Sequence, residues 1–154
     1  MKKEQMKLDL NENLSEHFRL REFVVSGVAL KQHIDNTPKD EKVVSRLRAL
    51  CEKTLEPLRR RFGRIRITSG YRCEPLNKAV GGRLKSQHLY GEAADIHIAS
   101  KEEGLKMFDY IRQNLPFDQL LFEHQMINGC CWLHVSLKSD RGENRHQAIR
   151  NYEA

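Results

Sequence analysis

The chain has 154 residues and a mass of 18.0 kDa, the size of one domain with a single core, and 39% hydrophobic beside 31% charged residues excludes a disordered or fibrous polymer. No run approaches the roughly 20 apolar residues of a membrane helix. Ser26 and Gly27 break the longest candidate, residues 23–30, so membrane insertion is not expected. Lys plus Arg number 27 against 21 Asp plus Glu, and the net charge of +6 suits a polyanion without choosing among nucleic acid, an anionic membrane and a bacterial cell wall.

Residues 1–13 are polar and read as a loose, flexible segment before a single domain over residues 14–154. Lysines open the chain, but Glu4, Asp9, Asn11 and Glu12 stand where a signal peptide carries its apolar stretch. Synthesis in the cytoplasm without a conventional secretion signal is therefore expected. Leu14, Phe18, Leu20 and Phe23 then mark short amphipathic segments. A long helix follows, with Thr37 as its N-cap, Pro38 at the first helical position, Asp40 and Glu41 at the positive dipole end, and Gly63 as its stop. Its apolar stripe is Val43, Val44, Leu47, Leu50, Cys51, Leu55 and Leu58, and Pro57 is expected to kink or split it.

Residues 64–68 alternate with period two, as a half-buried strand does, and run into the turn Ser69-Gly70-Tyr71-Arg72. Residues 74–80 read as a short helix ended by Gly81-Gly82, and residues 93–98 as a second strand. Ser100 and Glu103 form a capping box for a helix burying Leu105, Phe108, Ile111 and Leu115, closed by Pro116. Two strands, residues 117–123 and 131–137, flank a linker with Asn128-Gly129 that suits a hairpin with a longer loop. The cations of residues 138–150 read as a solvated tail. Cysteines 51, 73, 130 and 131 show no C-x-x-C spacing and are expected to be reduced.

The strand phases agree. Ile65, Ile67, Ala94, Ile96, Ile98, Leu120, Phe122, Leu133, Val135 and Leu137 share one face, which helices cover. The alternates, Asp95, His97, Gln119, Glu123, Trp132, His134 and Ser136, share the other. The expected fold is α+β, a central and mostly antiparallel sheet with helices on one side and a polar groove on the other. Two imidazoles and a carboxylate hold zinc with one position left open, and His88, Asp95 and His134 are candidates for that set.

Ser86-Gln87-His88-Leu89-Tyr90-Gly91-Glu92-Ala93-Ala94-Asp95 fills every position of S-x-H-x-x-G-x-A-x-D, the signature of zinc D-alanyl-D-alanine carboxypeptidases and related murein endopeptidases, the LAS-type metallopeptidases. Trp132-Leu133-His134-Val135-Ser136 resembles the family's second signature and Ser69-Gly70-Tyr71-Arg72 the turn before the first; the resemblance runs from about Leu14 to Arg150 and includes Asp35-Asn36-Thr37-Pro38 and Asn144-Arg145. It implies one zinc per chain on His88, Asp95 and His134, in a groove opposite the helices, and hydrolysis of peptide bonds involving D-amino acids in peptidoglycan stem peptides or cross-links. Many relatives carry an acidic residue three positions before the last zinc histidine, where this chain has Cys131. In a closer subgroup a glutamate ends the preceding strand, which makes Glu123 the expected base; Arg72 is expected to stabilise the oxyanion or a substrate carboxylate.

Ser69, Tyr71, Ser86, Gln87, His97 and Trp132 are expected to bind substrate, with Ser86 able instead to hydrogen-bond its own backbone. A monomer that acts on peptidoglycan, not nucleic acid, is expected, released to the wall by phage-type lysis or another export route. Three other readings compete: a cell-wall binding module that keeps zinc without catalysis, a nucleic-acid binder driven by net charge, and a closed zinc knot of Cys130, Cys131, His124 and His134, whose adjacent cysteines project to opposite sides of a strand.

Overall fold

The computed structural model describes residues 8–124 and 131–153. Leu8 and Leu10 pack against the core, and the first hairpin, β1 (Asn13–Ser15) and β2 (Phe18–Arg19), buries Leu14 and Phe18. Two short helices, α1 (Arg21–Val24) and α2 (Gly27–Lys31), follow, the second capped by the Ser26 hydroxyl, which accepts from Ala29 N.

The long helix starts later than the sequence predicts. Thr37 N–H is taken by Asp35 Oδ1 at 3.0 Å, which holds residues 35–37 in a turn, and Asp40 caps α3 (Glu41–Leu50) by accepting from Lys42 N at 2.9 Å. A π-helical turn, Cys51–Leu55, joins α3 to α4 (Glu56–Phe62), and Pro57 sits in the first turn of α4. Pro57 has no N–H to give to the preceding turn, and the wider π turn accommodates that loss without breaking the run. The predicted stripe from Val43 to Leu58 is buried throughout.

A five-stranded sheet has the order β3-β4-β6-β5-β7, formed by β3 (Ile67–Ser69), β4 (Ala93–His97), β5 (Gln119–His124), β6 (Cys131–Ser136) and β7 (Gln147–Glu153). Helices α5 (Glu74–Ala79) and α6 (Lys101–Asn114) lie between strands in sequence, and the Ser100 hydroxyl caps α6 by accepting from Glu103 N at 3.1 Å. Ile96, Ile98, Leu120, Phe122, Leu133 and Val135 form one core with Leu47, Leu50, Leu55, Phe108 and Ile111, so one sheet face packs on the helices.

The pairings β3–β4, β4–β6 and β5–β6 are antiparallel, but β5–β7 is parallel, so the sheet is mixed. The tail over residues 138–150 is therefore not wholly solvated, because β7 is stitched to the sheet edge through Asp118. That fully buried carboxylate accepts from Arg145 N at 2.7 Å and from Arg145 Nη2 at 2.8 Å, and the Asp118 carbonyl accepts from Gln147 N. Asp118 offsets its burial through these bonds, which hold its carboxyl below the ordinary range. The hairpin loop expected around Asn128-Gly129 lies outside the described residues.

Candidate metal centre and cleft

Register brings the first two candidates together. Asp95 on β4 is paired with His134 on β6 and with Ser69 on β3, and Asp95 Oδ1 lies 2.9 Å from His134 Nδ1. Because side chains alternate along a strand, Cys131 packs on the core side while Trp132 and His134 line the cleft.

His88 arrives from a 3₁₀ turn, Gln87–Tyr90, which Ser86 caps by accepting from His88 N at 3.3 Å. Gly91 ends that turn at φ +76°, where a Cβ would lie 2.6 Å from the Val43 carbonyl oxygen, so both backbone sign and space demand glycine. The buried His88 ring donates from Nδ1 to Gly70 O at 2.7 Å, which leaves Nε2 directed to Asp95 Oδ1 at 3.4 Å. Gly70 is itself pressed on Phe23, where a Cβ would meet Cα at 2.6 Å, and Tyr71 N donates to Phe23 O.

The three donor atoms of His88, Asp95 and His134 lie within 4.8 Å of one another. For ligand bonds of 2.0–2.1 Å the edge of a tetrahedron is about 3.3 Å, close to the 3.4 Å and 2.9 Å separations between each imidazole and Asp95. Two imidazole nitrogens and one carboxylate oxygen form a donor set that fits zinc. Burial raises the Asp95 carboxyl, but His88 and His134 outweigh it and hold Asp95 far below the carboxylate range. Burial pulls His88 down against the attraction of Asp95, which favours the neutral imidazole a metal requires.

Arg72 reaches the same carboxylate, with Nη2 at 3.5 Å from Asp95 Oδ2 and Nε donating to Ser69 Oγ at 3.1 Å. Burial lowers the guanidinium's pKa, opposed by Asp95 and Glu123. Glu123 faces Trp132 across β5–β6 and lines the cleft of about 630 Å³ that contains His88, Asp95 and His134. Burial raises the Glu123 carboxyl above its ordinary value; His134 opposes that rise, Asp95 adds to it, and Trp132 and Arg72 oppose it. The buried Trp132 indole N–H lies beside Glu123, and through it Trp132 lowers that carboxyl.

Ser86, Gln87 and Trp132 line this cleft, whereas Ser69, Tyr71 and His97 line a neighbouring groove of about 1110 Å³ in which Arg72 also participates. The Tyr71 main chain is tied down at both ends, by Phe23 O and by Asn36. Asn36, to which the sequence assigns no role beyond the resemblance, is a positioning residue: its buried amide donates to Val24 O and Tyr71 O at 2.9 Å each, and its Oδ1 accepts from Cys73 N at 2.8 Å. Asn77 was overlooked; it joins the Arg72 guanidinium to the Gly82-Arg83 turn, donating to Arg83 O at 2.9 Å. For Asn36 the sequence offered a turn position two residues before Pro38 and a place in the Asp35-Asn36-Thr37-Pro38 segment of the resemblance, neither of which specifies its partners.

Among the described residues Cys51 and Cys73 form no disulfide, and the knot that requires Cys130 involves a residue outside those described. Among the described residues a second potential ligand group, Glu16, His17 and Glu56, lies by the first hairpin. There Glu56 is already satisfied by the Ser15 hydroxyl at 2.7 Å, by His17 N and by His17 Nδ1 at 2.9 Å, and it ties the hairpin to α4.

No helix of the described residues is long and apolar enough to cross a membrane. A search of curated proteins finds no match. The family model described as Peptidase M15 matches residues 16–136, a span that takes in the turn at Arg72, the His88 segment, Asp95, Glu123 and His134. The chain belongs to the M15 peptidases, a family of zinc-dependent, D-Ala-D-Ala carboxypeptidase-like enzymes.

Proposed function

We propose that this protein is a zinc peptidase that hydrolyses peptide bonds involving D-amino acids in peptidoglycan, as a D,D-carboxypeptidase or a cross-link endopeptidase. The observation that carries the reading is one buried carboxylate, Asp95, shared between His88 Nε2 and His134 Nδ1 on the floor of a cleft that also holds Glu123.

Zinc, when bound, supplies a Lewis acid that polarises the scissile carbonyl and lowers the pKa of the attacking water. Glu123, its pKa raised toward the working range of a general base, takes the proton from water and returns it to the leaving amine. Arg72 is held by Ser69 and Asn77 with a face toward Asp95, where its guanidinium meets the developing oxyanion or a substrate carboxylate. Trp132 presents its buried N–H to Glu123 and shields the base from bulk water.

Metal analysis of purified protein, combined with mass spectrometry of digested murein, tests this. About one zinc per chain and release of D-alanine or cleaved cross-links, both activities lost in Glu123→Gln, is the expected result. Zinc without turnover would identify instead a module that only binds cell-wall peptides. On this proposal the enzyme works at the cell wall, reached by lysis from within or by another export route.

A further inference from the structure

The larger groove is not the metal cleft, yet the two are continuous, sharing Arg72 and Val80 as walls. It runs along β3, the terminal strand of the sheet. Just past the strand's end α1 covers the chain through the Tyr71 N to Phe23 O bond; among the described residues no strand pairs with the outer edge of β3, and the extended residues 64–66 lead into it. An exposed strand edge offers unpaired N–H and C=O groups to an added extended peptide.

The charges along this edge have one sign. Arg64 and Arg66 are exposed two residues apart, and neither has an ion-pair partner among the described residues. Arg66 lies beside His97, whose N–H donates to Arg66 O at 2.9 Å. The acidic residues in the groove wall are Glu22, whose Oε2 already accepts from Arg19 N at 2.7 Å, and Glu103 in the first turn of α6. Arg21 and Arg72 bring the groove to four guanidinium groups against two carboxylates.

We propose that this groove binds the portion of an extended acidic peptide remote from the scissile bond, with the peptide's free carboxylates on Arg64 and Arg66 and its main chain along the open edge of β3. The inference deepens the peptidase reading and rests on it, since it gives the part of the peptide upstream of the cleaved bond a separate, carboxylate-recognising subsite on Arg64 and Arg66. Binding energy collected there holds the reacting bond in place without contact with the chemistry. Rim cations of this kind discriminate by charge and are weakened by salt.

The test uses zinc-loaded full-length Glu123→Gln, which binds without turnover, titrated by Trp132 fluorescence and calorimetry with L-Ala-γ-D-Glu-L-Lys-D-Ala-D-Ala, its glutamate carboxylate free or amidated. The free-acid peptide is expected to bind about tenfold tighter, a preference that shrinks in high salt and disappears in Arg64→Ser/Arg66→Ser. Both arginines are exposed, so circular dichroism should be unchanged; Arg64→Glu/Arg66→Glu should reverse the preference. Equal affinity for the two peptides, or a preference that survives both double variants, overturns the proposal. If the parent enzyme cuts murein while that preference is missing, the groove assignment fails and the peptidase reading stands. A charge preference governed by Arg64 and Arg66 in a protein that cuts nothing establishes the groove and defeats the peptidase reading.

Discussion

Asp95 and His134 stand directly opposite each other across two antiparallel strands, carboxylate oxygen and imidazole nitrogen 2.9 Å apart, both nearly withdrawn from water. Two rigid strands fix this pair, and only His88 is brought by a turn. A metal joined to the three therefore couples the strands to the Gln87–Tyr90 segment.

Removing a ligand should remove the metal. His134→Ala is expected to lower zinc content after gel filtration from about one per chain to near zero. Adding zinc to metal-stripped parent protein should raise its melting temperature, because the ion binds only the folded site, and this rise should be absent in the variant.

Glu123→Gln should keep its zinc while kcat falls by about 100- to 10,000-fold. In the parent, a base with a raised pKa must be deprotonated to act, so kcat/KM should decline as pH falls through a value above the ordinary glutamate 4.5. Zinc content measured across the same range separates loss of the base from loss of the metal.

Glu56 should make stability sensitive to acid. Burial raises its pKa, but the His17 and Ser15 hydrogen bonds more than offset that and leave it below 4.5. A group depressed in the folded state contributes stability that is fully present above its unfolded pKa and is lost as pH falls through the folded value. Urea unfolding from pH 6 down to below pH 4 should show this loss in the parent. Glu56→Gln should be less stable at pH 6 by about 1–3 kcal/mol and should show a flatter acid limb.

The turn that carries His88 is clasped by residues 138–146. Arg141 lies over the Tyr90 ring at 3.5 Å and donates to fully buried Glu92 at 2.8 Å, while Arg46 binds both Asp140 and the Tyr90 carbonyl. Arg141→Ala leaves the Glu92 carboxylate without its cation and should cost about 1–3 kcal/mol, reduced from a fully buried pair because Arg141 is partly exposed. Adding Glu92→Gln should recover part of that loss in a denaturation double-mutant cycle.

Much of the site was legible in the primary structure because period-two alternation decides which side chains share a face. Ala94, Ile96, Leu133 and Val135 require the core, which leaves Asp95, Trp132 and His134 on the opposite side. The Ser100 cap was legible from the local Ser100-to-Glu103 spacing. What escaped depended on distant partners. The helix start moved from Thr37 to Asp40 because Asp35 folds residues 35–37 into a turn and the Asp40 carboxylate takes Lys42 N, and β7 is held by Asp118, some 27 positions before Arg145, rather than by any pattern of its own. Asn36 and Asn77 act through main-chain groups of other segments, which composition does not reveal.

The contact between Phe23 and Gly70 ties the amino-terminal portion of the chain to the metal ligands. Phe23 seats the turn, the turn's carbonyl at Gly70 holds one ring nitrogen of His88, and the other ring nitrogen faces Asp95. Proteolytic trimming beyond Phe23 is therefore a chelation event at a distance, and the ion's dissociation rate becomes a gauge of whether the amino end is docked.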